Sequence, residues 1–256
     1  MSHYVDLNSD LGESFGNYTL GMDSEVLNHV TSANIACGWH AGDPLIMDAT
    51  VRICKEKGVA VGAHPGYPDL MGFGRRAMAV NPAEAKAYMI YQVGALQAFC
   101  DSYGVTLQHM KLHGAFYNTA CVTPALADAV LDGLQAVNPN IAVMVLSGSY
   151  IAKEAERRGI PVIQEVFADR GYTDEGTLVP RTEPGAFIKD PQEALERVLM
   201  MVTEGKVVTN TGNTIDIVAD SVCVHGDNPE AIAFTNYIRE GLTKAGVTVA
   251  NFQNRK

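Results

Sequence analysis

Five times in this chain a helix-capping residue is followed at once by proline: Asp43-Pro44, Asn81-Pro82, Thr123-Pro124, Asp190-Pro191 and Asn228-Pro229. Asp, Asn and Thr accept from the free N–H groups of a first helical turn, and proline is preorganised for the first helical position, so each pair predicts a helix start. Glutamate three residues after Asn81 and after Asp190 strengthens both starts. Short runs of strand-forming residues lie between them, at 4–8, 59–63, 108–114, 141–146, 161–167 and 221–224. Helices are predicted over 23–30, 44–57, 82–103, 150–158 and 191–204 and from 124 and 229; 14–21 reads as a loop and 205–217 as a turn or hairpin. Strand, polar loop and capped helix thus recur about seven times, and such alternation implies a parallel sheet.

The stretch from Ala33 to Pro44 is the pattern in miniature. An apolar run passes through Gly38 and Gly42, around the only tryptophan, Trp39, and His40, and closes on the capping Asp43. Elsewhere, too, polar residues follow the strands: Asp6, Asn8, Asp10 and Glu13; Asn34 and His40; His64; Lys111 and His113; Glu165, Asp169 and Arg170; His225 and Asp227. An open doubly wound sheet would confine ligand groups to one switch point, whereas groups at nearly every strand end suit a closed barrel. The expected fold is therefore α/β, an irregular (β/α)7-type barrel forming a single domain over 1–256. His109, Lys111 and His113 fall on one face of their strand, with Met110 and Leu112 on the other.

With 47% hydrophobic and 19% charged residues the chain can bury a large core. A net charge of −10 argues against nucleic acid or an anionic membrane as partner. Five cysteines without a CxxC spacing suggest neither a disulfide framework nor a structural zinc site, and the N-terminus lacks a signal core. A cytoplasmic protein acting on a small molecule is expected, with a homo-oligomer possible.

Converging on one mouth, these residues support two chemistries. Asp10, His40 and His64 form a candidate metal or proton-transfer cluster, since Asp with two His is a common ligand set for a divalent ion that activates water. Lys111 with Arg170 and Arg181 would instead hold an anion while a carboxylate handles protons. The candidate catalytic residues are Asp10, His64, Lys111, His113 and Asp169; the candidate substrate-binding residues are Asn8, Asn34, His40, Arg170, Arg181 and His225. There is no P-loop, and Gly72-Phe73-Gly74-Arg75-Arg76-Ala77 does not follow a strand as a dinucleotide site requires. Arg75 and Arg76 read as a solvated or loop-anchoring pair, and Cys37 as a buried structural thiol.

The segments 6–13, 34–44, 62–69, 111–114, 165–172 and 224–227, in that order along nearly the whole chain, resemble the LamB/YcsF family. Leu112 stands where some relatives have proline. The resemblance implies a seven-stranded barrel similar to glycoside hydrolases and polysaccharide deacetylases. It also implies a 5-oxoprolinase activity, opening of the lactam of 5-oxo-L-proline to L-glutamate with hydrolysis of ATP, in a complex with two further subunits, B and C. Phosphorylation of the lactam oxygen would create the leaving group that a stable amide lacks, with Arg or Lys holding the substrate carboxylate. Two other classes fit the same residues: a stand-alone metal-dependent deacetylase or amidase, and a non-catalytic binding subunit.

Overall fold

The structure, a computed structural model, describes residues 3–254. In chain order the elements are β1 (Tyr4–Leu11), α1 (Asp23–Val26), β2 (Ser32–Ala36), α2 (Pro44–Lys57), β3 (Ala60–His64), α3 (Pro82–Tyr103), β4 (Leu107–Met110), α4 (Gly114–Val122), α5 (Pro124–Val137), β5 (Ala142–Leu146), α6 (Tyr150–Arg157), β6 (Val162–Phe167), α7 (Pro191–Glu204), β7 (Lys206–Val208), β8 (Thr214–Asp216), β9 (Ser221–Cys223), α8 (Pro229–Lys244) and β10 (Thr248–Val249). Strands β1 to β6 pair in sequence, all parallel, and β9 joins β6 back to β1, closing the expected barrel of seven strands. The short β10 pairs with the start of β1, and β7 and β8 form an antiparallel hairpin outside the barrel.

Four of the five predicted caps close as expected. Asp43, Asn81, Asp190 and Asn228 each accept from backbone N–H groups of the first turn, and Asn81 with Glu84 forms a full capping box. Each such cap is worth about 1 kcal/mol. Thr123 starts α5 without a side-chain bond, because it also ends α4, a helix not expected from the sequence. The strand expected over 108–114 pairs only to Met110, and β1 runs three residues past the expected end, to Leu11. Helix α1 is shorter than predicted, and β10 is additional to the expected strands.

Strand alternation divides the residues. Val5, Leu7, Ile35, Val61, Met110, Leu112, Val145, Val166 and Val222 pack outward into the main apolar core, each burial worth about 1.5–3 kcal/mol. Ala142, Met144 and Ile163, with Phe252 against them, form a second, small apolar cluster. Asp6, Asn8, Asn34, His109, Lys111, Glu165 and Ser221 are buried polar residues of the barrel strands and their ends. No single helix among the described residues is long and apolar enough to cross a membrane.

Candidate active site

The barrel interior is a hydrogen-bonded column that ends at the mouth. Asp6 accepts from Ser32 Oγ at 2.6 Å and from Ser221 Oγ; Ser221 accepts from Asn8 Nδ2 at 2.8 Å. Asn8 Oδ1 in turn accepts from Asn34 Nδ2 at 2.8 Å and Lys111 Nζ at 3.1 Å. His109 donates through Nε2 to Asn34 Oδ1 at 2.7 Å. All these side chains are buried, so each polar group needs the next as its partner.

Lys111 forms the floor of the mouth. Its ammonium reaches Glu165 Oε1 at 2.7 Å and Asp10 Oδ1 at 3.0 Å, approaches Cys223 Sγ at 3.3 Å and lies 5.5 Å over the Phe167 ring. Glu165 Oε2 accepts from the Tyr117 hydroxyl at 2.7 Å. Burial disfavours charge on both Asp10 and Lys111. Their neighbours outweigh it: His64 and Lys111 hold Asp10 well below the usual carboxylate range, while Asp10, Cys223 and Glu165 push Lys111 well up. Burial and Glu165 push the Tyr117 hydroxyl up as well.

Beside this floor, Glu13, His40, His64 and His113 bring one donor atom each within 4.8 Å of one another. His64 Nδ1 donates to Lys111 O at 2.8 Å, and His113 Nε2 donates to Phe73 O at 2.8 Å. Carbonyls only accept, so His64 Nε2 and His113 Nδ1 keep their lone pairs, and these face each other at 3.0 Å. Asp10 Oδ2 lies 3.3 Å from His64 Nε2. Glu13 Oε1 lies 3.5 Å from His40 Nε2 and 3.8 Å from His113 Nδ1. Both nitrogens of His40, whose ring stacks on His113 at 3.7 Å, and Glu13 Oε1 are buried without a hydrogen bond. A Cβ at Gly74, whose φ is +61°, would lie 2.8 Å from the His113 ring and 2.8 Å from the Cβ of His40, so glycine makes room for the stacked pair. Burial, Asp10 and Asp227 push Glu13 well up; burial and the neighbouring imidazoles lower His40 and bring His113 to about 3. Donors around one ion at roughly 2.1 Å stand about 3.4 Å apart in a tetrahedral site, so this group fits a divalent cation.

A cavity of about 660 Å³ opens over these groups, lined among others by Asp10, Glu13, His64, Lys111, His113, Tyr117, Cys223, Arg75, Arg170 and Arg181. On its other wall His225 Nε2 pairs with Asp169 Oδ2 at 3.2 Å. Burial opposes a charged imidazole there, but the Asp169 carboxylate prevails and raises His225. A cleft of about 810 Å³ between the starts of α7 and α8 meets the cavity at this pair.

The structure thus gathers Asp10, His64, Lys111, His113, Arg170, Arg181 and His225 on one cavity, with Asp169 paired to His225. It sets Asn8 and Asn34 in the column beneath Lys111, and His40 behind His113. Of the expected cluster Asp10, His40 and His64, the two histidines sit with Glu13 and His113, and Asp10 is adjacent. Arg170 gives Nε and Nη2 to the backbone carbonyls of Ala186 and Val179. Trp39 faces away, stacked on Tyr91 and against Tyr88 of α3, and Cys37 is buried with its thiol pushed up to about 12. Sequence reasoning missed Arg75 and Tyr117. Arg76 alone anchors its loop, to Asp69, whereas Arg75 lines the cavity. Tyr117 lies on α4, and an aromatic in an apolar helix carried no signal.

The sequence model of the LamB/YcsF family matches residues 5–256. The chain is 62% identical over 249 residues to the 5-oxoprolinase A subunit of Fusobacterium nucleatum, covering 97% of each chain. It is 55% identical over 245 residues to the protein of the same name from Pyrococcus horikoshii, covering 96% of each. Among solved structures it is similar to a lactam utilization protein from Thermus thermophilus, with a TM-score of 0.92 and 45% identity over 97% of this chain and 100% of that one.

Proposed function

The chain belongs to the LamB/YcsF family, and from that premise we propose that it is the lactam-opening subunit of an ATP-driven 5-oxoprolinase, converting 5-oxo-L-proline to L-glutamate together with partner subunits B and C. The observation that carries the reading is the buried Lys111 ammonium between Asp10 and Glu165, at the floor of a cavity with an imidazole on either side. The names of its relatives, 5-oxoprolinase A subunits and a lactam utilization protein, support it.

In this reading the lactam carbonyl lies toward Lys111, whose fixed positive charge stabilises the oxyanion formed on attack. Asp10, ionised and facing the cavity, takes the proton of the attacking water. His225, held protonated by Asp169, gives a proton to the departing ring nitrogen. A pKa lowered at Asp10 and raised at His225 separates the base from the acid. Glu13, His40, His64 and His113 would hold a divalent cation, which when bound would act as a Lewis acid toward the carbonyl or water.

Neither an activated nucleophile nor a nucleotide motif is evident, so the chain alone is expected not to turn over 5-oxoproline; ATP contacts belong mainly to the partners, docked near the mouth to keep water from the intermediate. The test is an assay of every subset of subunits with ADP and glutamate both measured. Glutamate release by this chain without ATP would overturn the reading in favour of a stand-alone amidase.

A further inference from the structure

Among the described residues, half of the large hydrophobic side chains exposed to solvent gather in one place. Phe15, Tyr18 and Leu20 lie on the connection after β1, Leu45 in the first turn of α2, and Leu70, Met71 and Met78 on the connection after β3. Strands β1, β2 and β3 are neighbours in the barrel, so their connections adjoin. Contacts tie them together. Asp43 accepts from both Gly16 N and Leu45 N at 2.8 Å, and Gly66 packs on the His40 ring so closely that a Cβ there would lie 2.6 Å from Nδ1. The group borders the cavity, since Leu20, Phe73, Arg75 and Ala77 line it. Phe73, the non-glycine residue of positive φ at +53°, gives its carbonyl to His113 Nε2. The loop that shows Met71 to solvent at 95% exposure is therefore also a wall of the cavity.

Single exposed hydrophobic residues are ordinary on any surface, whereas a contiguous group beside a cavity marks a face that another molecule covers. The charges on these connections narrow down which molecule. Asp69 is buried against Arg76, Glu13 and Asp43 are half-buried, and the exposed charges are Arg75 and Arg76. A chain of net charge −10 thus shows here a face that is apolar, cationic and without an exposed carboxylate. A second copy docked about a two-fold axis would set this face against itself, arginine toward arginine with no carboxylate to answer.

We propose that the connections after β1, β2 and β3 form the docking face for the ATP-using partner, and that the partner meets them with an apolar surface carrying carboxylates opposite the arginines. This rests on the lactam-opening reading and deepens it, by giving the partner a place and a chemistry. Tyr18 and Met71 are the anchors, being large and standing clear of the surface at 79% and 95% exposure. A partner seated on them closes the side of the cavity formed by Leu20 and Phe73 and keeps bulk water from the reacting groups.

Sedimentation and biolayer interferometry of the whole chain with purified subunits B and C test the face. Because both anchors are exposed, Tyr18→Ser, Met71→Asp and Met71→Lys should keep the parent thermal midpoint. Tyr18→Ser and Met71→Asp should each weaken partner binding roughly 30-fold or more, as at an interface hot spot. Met71→Lys loses the same apolar contact but adds to the positive rim, so it should bind more tightly than Met71→Asp, and high salt should close the gap. Ile90→Lys, exposed in the middle of α3, should bind like the parent. In the assembled enzyme the glutamate output of Tyr18→Ser should fall at limiting partner and recover when B and C are in excess. Parent-like binding by Tyr18→Ser and Met71→Asp, an equal loss in Ile90→Lys, or binding by Met71→Lys no tighter than by Met71→Asp overturns the proposal. So does a parent chain that sediments alone as a dimer which Met71→Asp dissociates, since the face would then belong to a second copy. A parent complex that assembles but opens no lactam would defeat the underlying reading alone, because assembly is measured without turnover.

Discussion

His64 Nε2 and His113 Nδ1 stand 3.0 Å apart with their lone pairs toward each other, because each ring donates the N–H of its other nitrogen to a backbone carbonyl. Two acceptors cannot remain so close without something positive between them. With Glu13 and His40 completing the group, protein purified without chelator is expected to carry one divalent ion, which elemental analysis measures. His64→Ala and His113→Ala should each lose it and melt at a lower temperature than the parent. Chelator-treated protein that retains both its melting temperature and its activity in the complex would assign the pair to a shared proton.

Lys111 links the column to the mouth, and its removal strands the Glu165 carboxylate, which among the described residues forms its ion pair with Lys111 alone. Lys111→Met should cost roughly 3–5 kcal/mol in urea unfolding, the typical penalty for breaking a buried ion pair from one side. Adding Glu165→Gln should recover part of that loss. Equal stability of the single and double variants would mean that the pair is not coupled.

Tyr117 donates one hydrogen bond to Glu165. Tyr117→Phe should lower stability by about 1.5–3 kcal/mol, the range for a hydrogen bond to a charged group. Lactam turnover should fall with it if Glu165 sets the position of Lys111, and steady-state kinetics of the complex check this. An unaffected kcat would confine Tyr117 to folding.

Burial, followed by the charge of Lys111, brings His109 down to about 3. Between pH 6.5 and 3 the unfolded chain therefore takes up a proton that the folded chain refuses, so stability falls as pH falls, by at most about 1.4 kcal/mol per pH unit. His109→Gln should flatten that slope in urea titrations at about pH 7 and about pH 5. His225 has the opposite sign. Its pairing with Asp169 contributes fully below pH 6.5 and is lost as pH rises through the raised folded value. The alkaline limb of the complex's kcat profile should follow the same group and vanish in His225→Ala.

Much of this was legible because barrel residues obey short-range rules. Asp43-Pro44 and Asn81-Pro82 fix helix starts within a few residues of chain, and the alternation of His109, Lys111 and His113 with Met110 and Leu112 assigns inside and outside without any tertiary knowledge. Helix α4 was not legible, since Gly114 opens it with no side-chain cap and it continues almost directly into α5. Nor was the depth of each polar residue. Asn8 and Asp10 are equivalent in periodicity, yet Asn8 lies under Lys111 and Asp10 beside it, a distinction set by strand register and stagger. Arg75 and Arg76 show the same limit. Adjacent and identical, they part because only Arg76 meets Asp69.

From Asp6 through Ser221 and Asn8 to Lys111, the interior is one unbroken chain of donors and acceptors. An apolar interior tolerates drift, because one aliphatic side chain can replace another with small adjustments of volume. Here a replacement at any link orphans its neighbour, so natural variation along the barrel axis should come in compensating pairs or not at all. A change at Asp6, which lines neither cavity, should therefore be felt at Lys111 through Ser221 and Asn8.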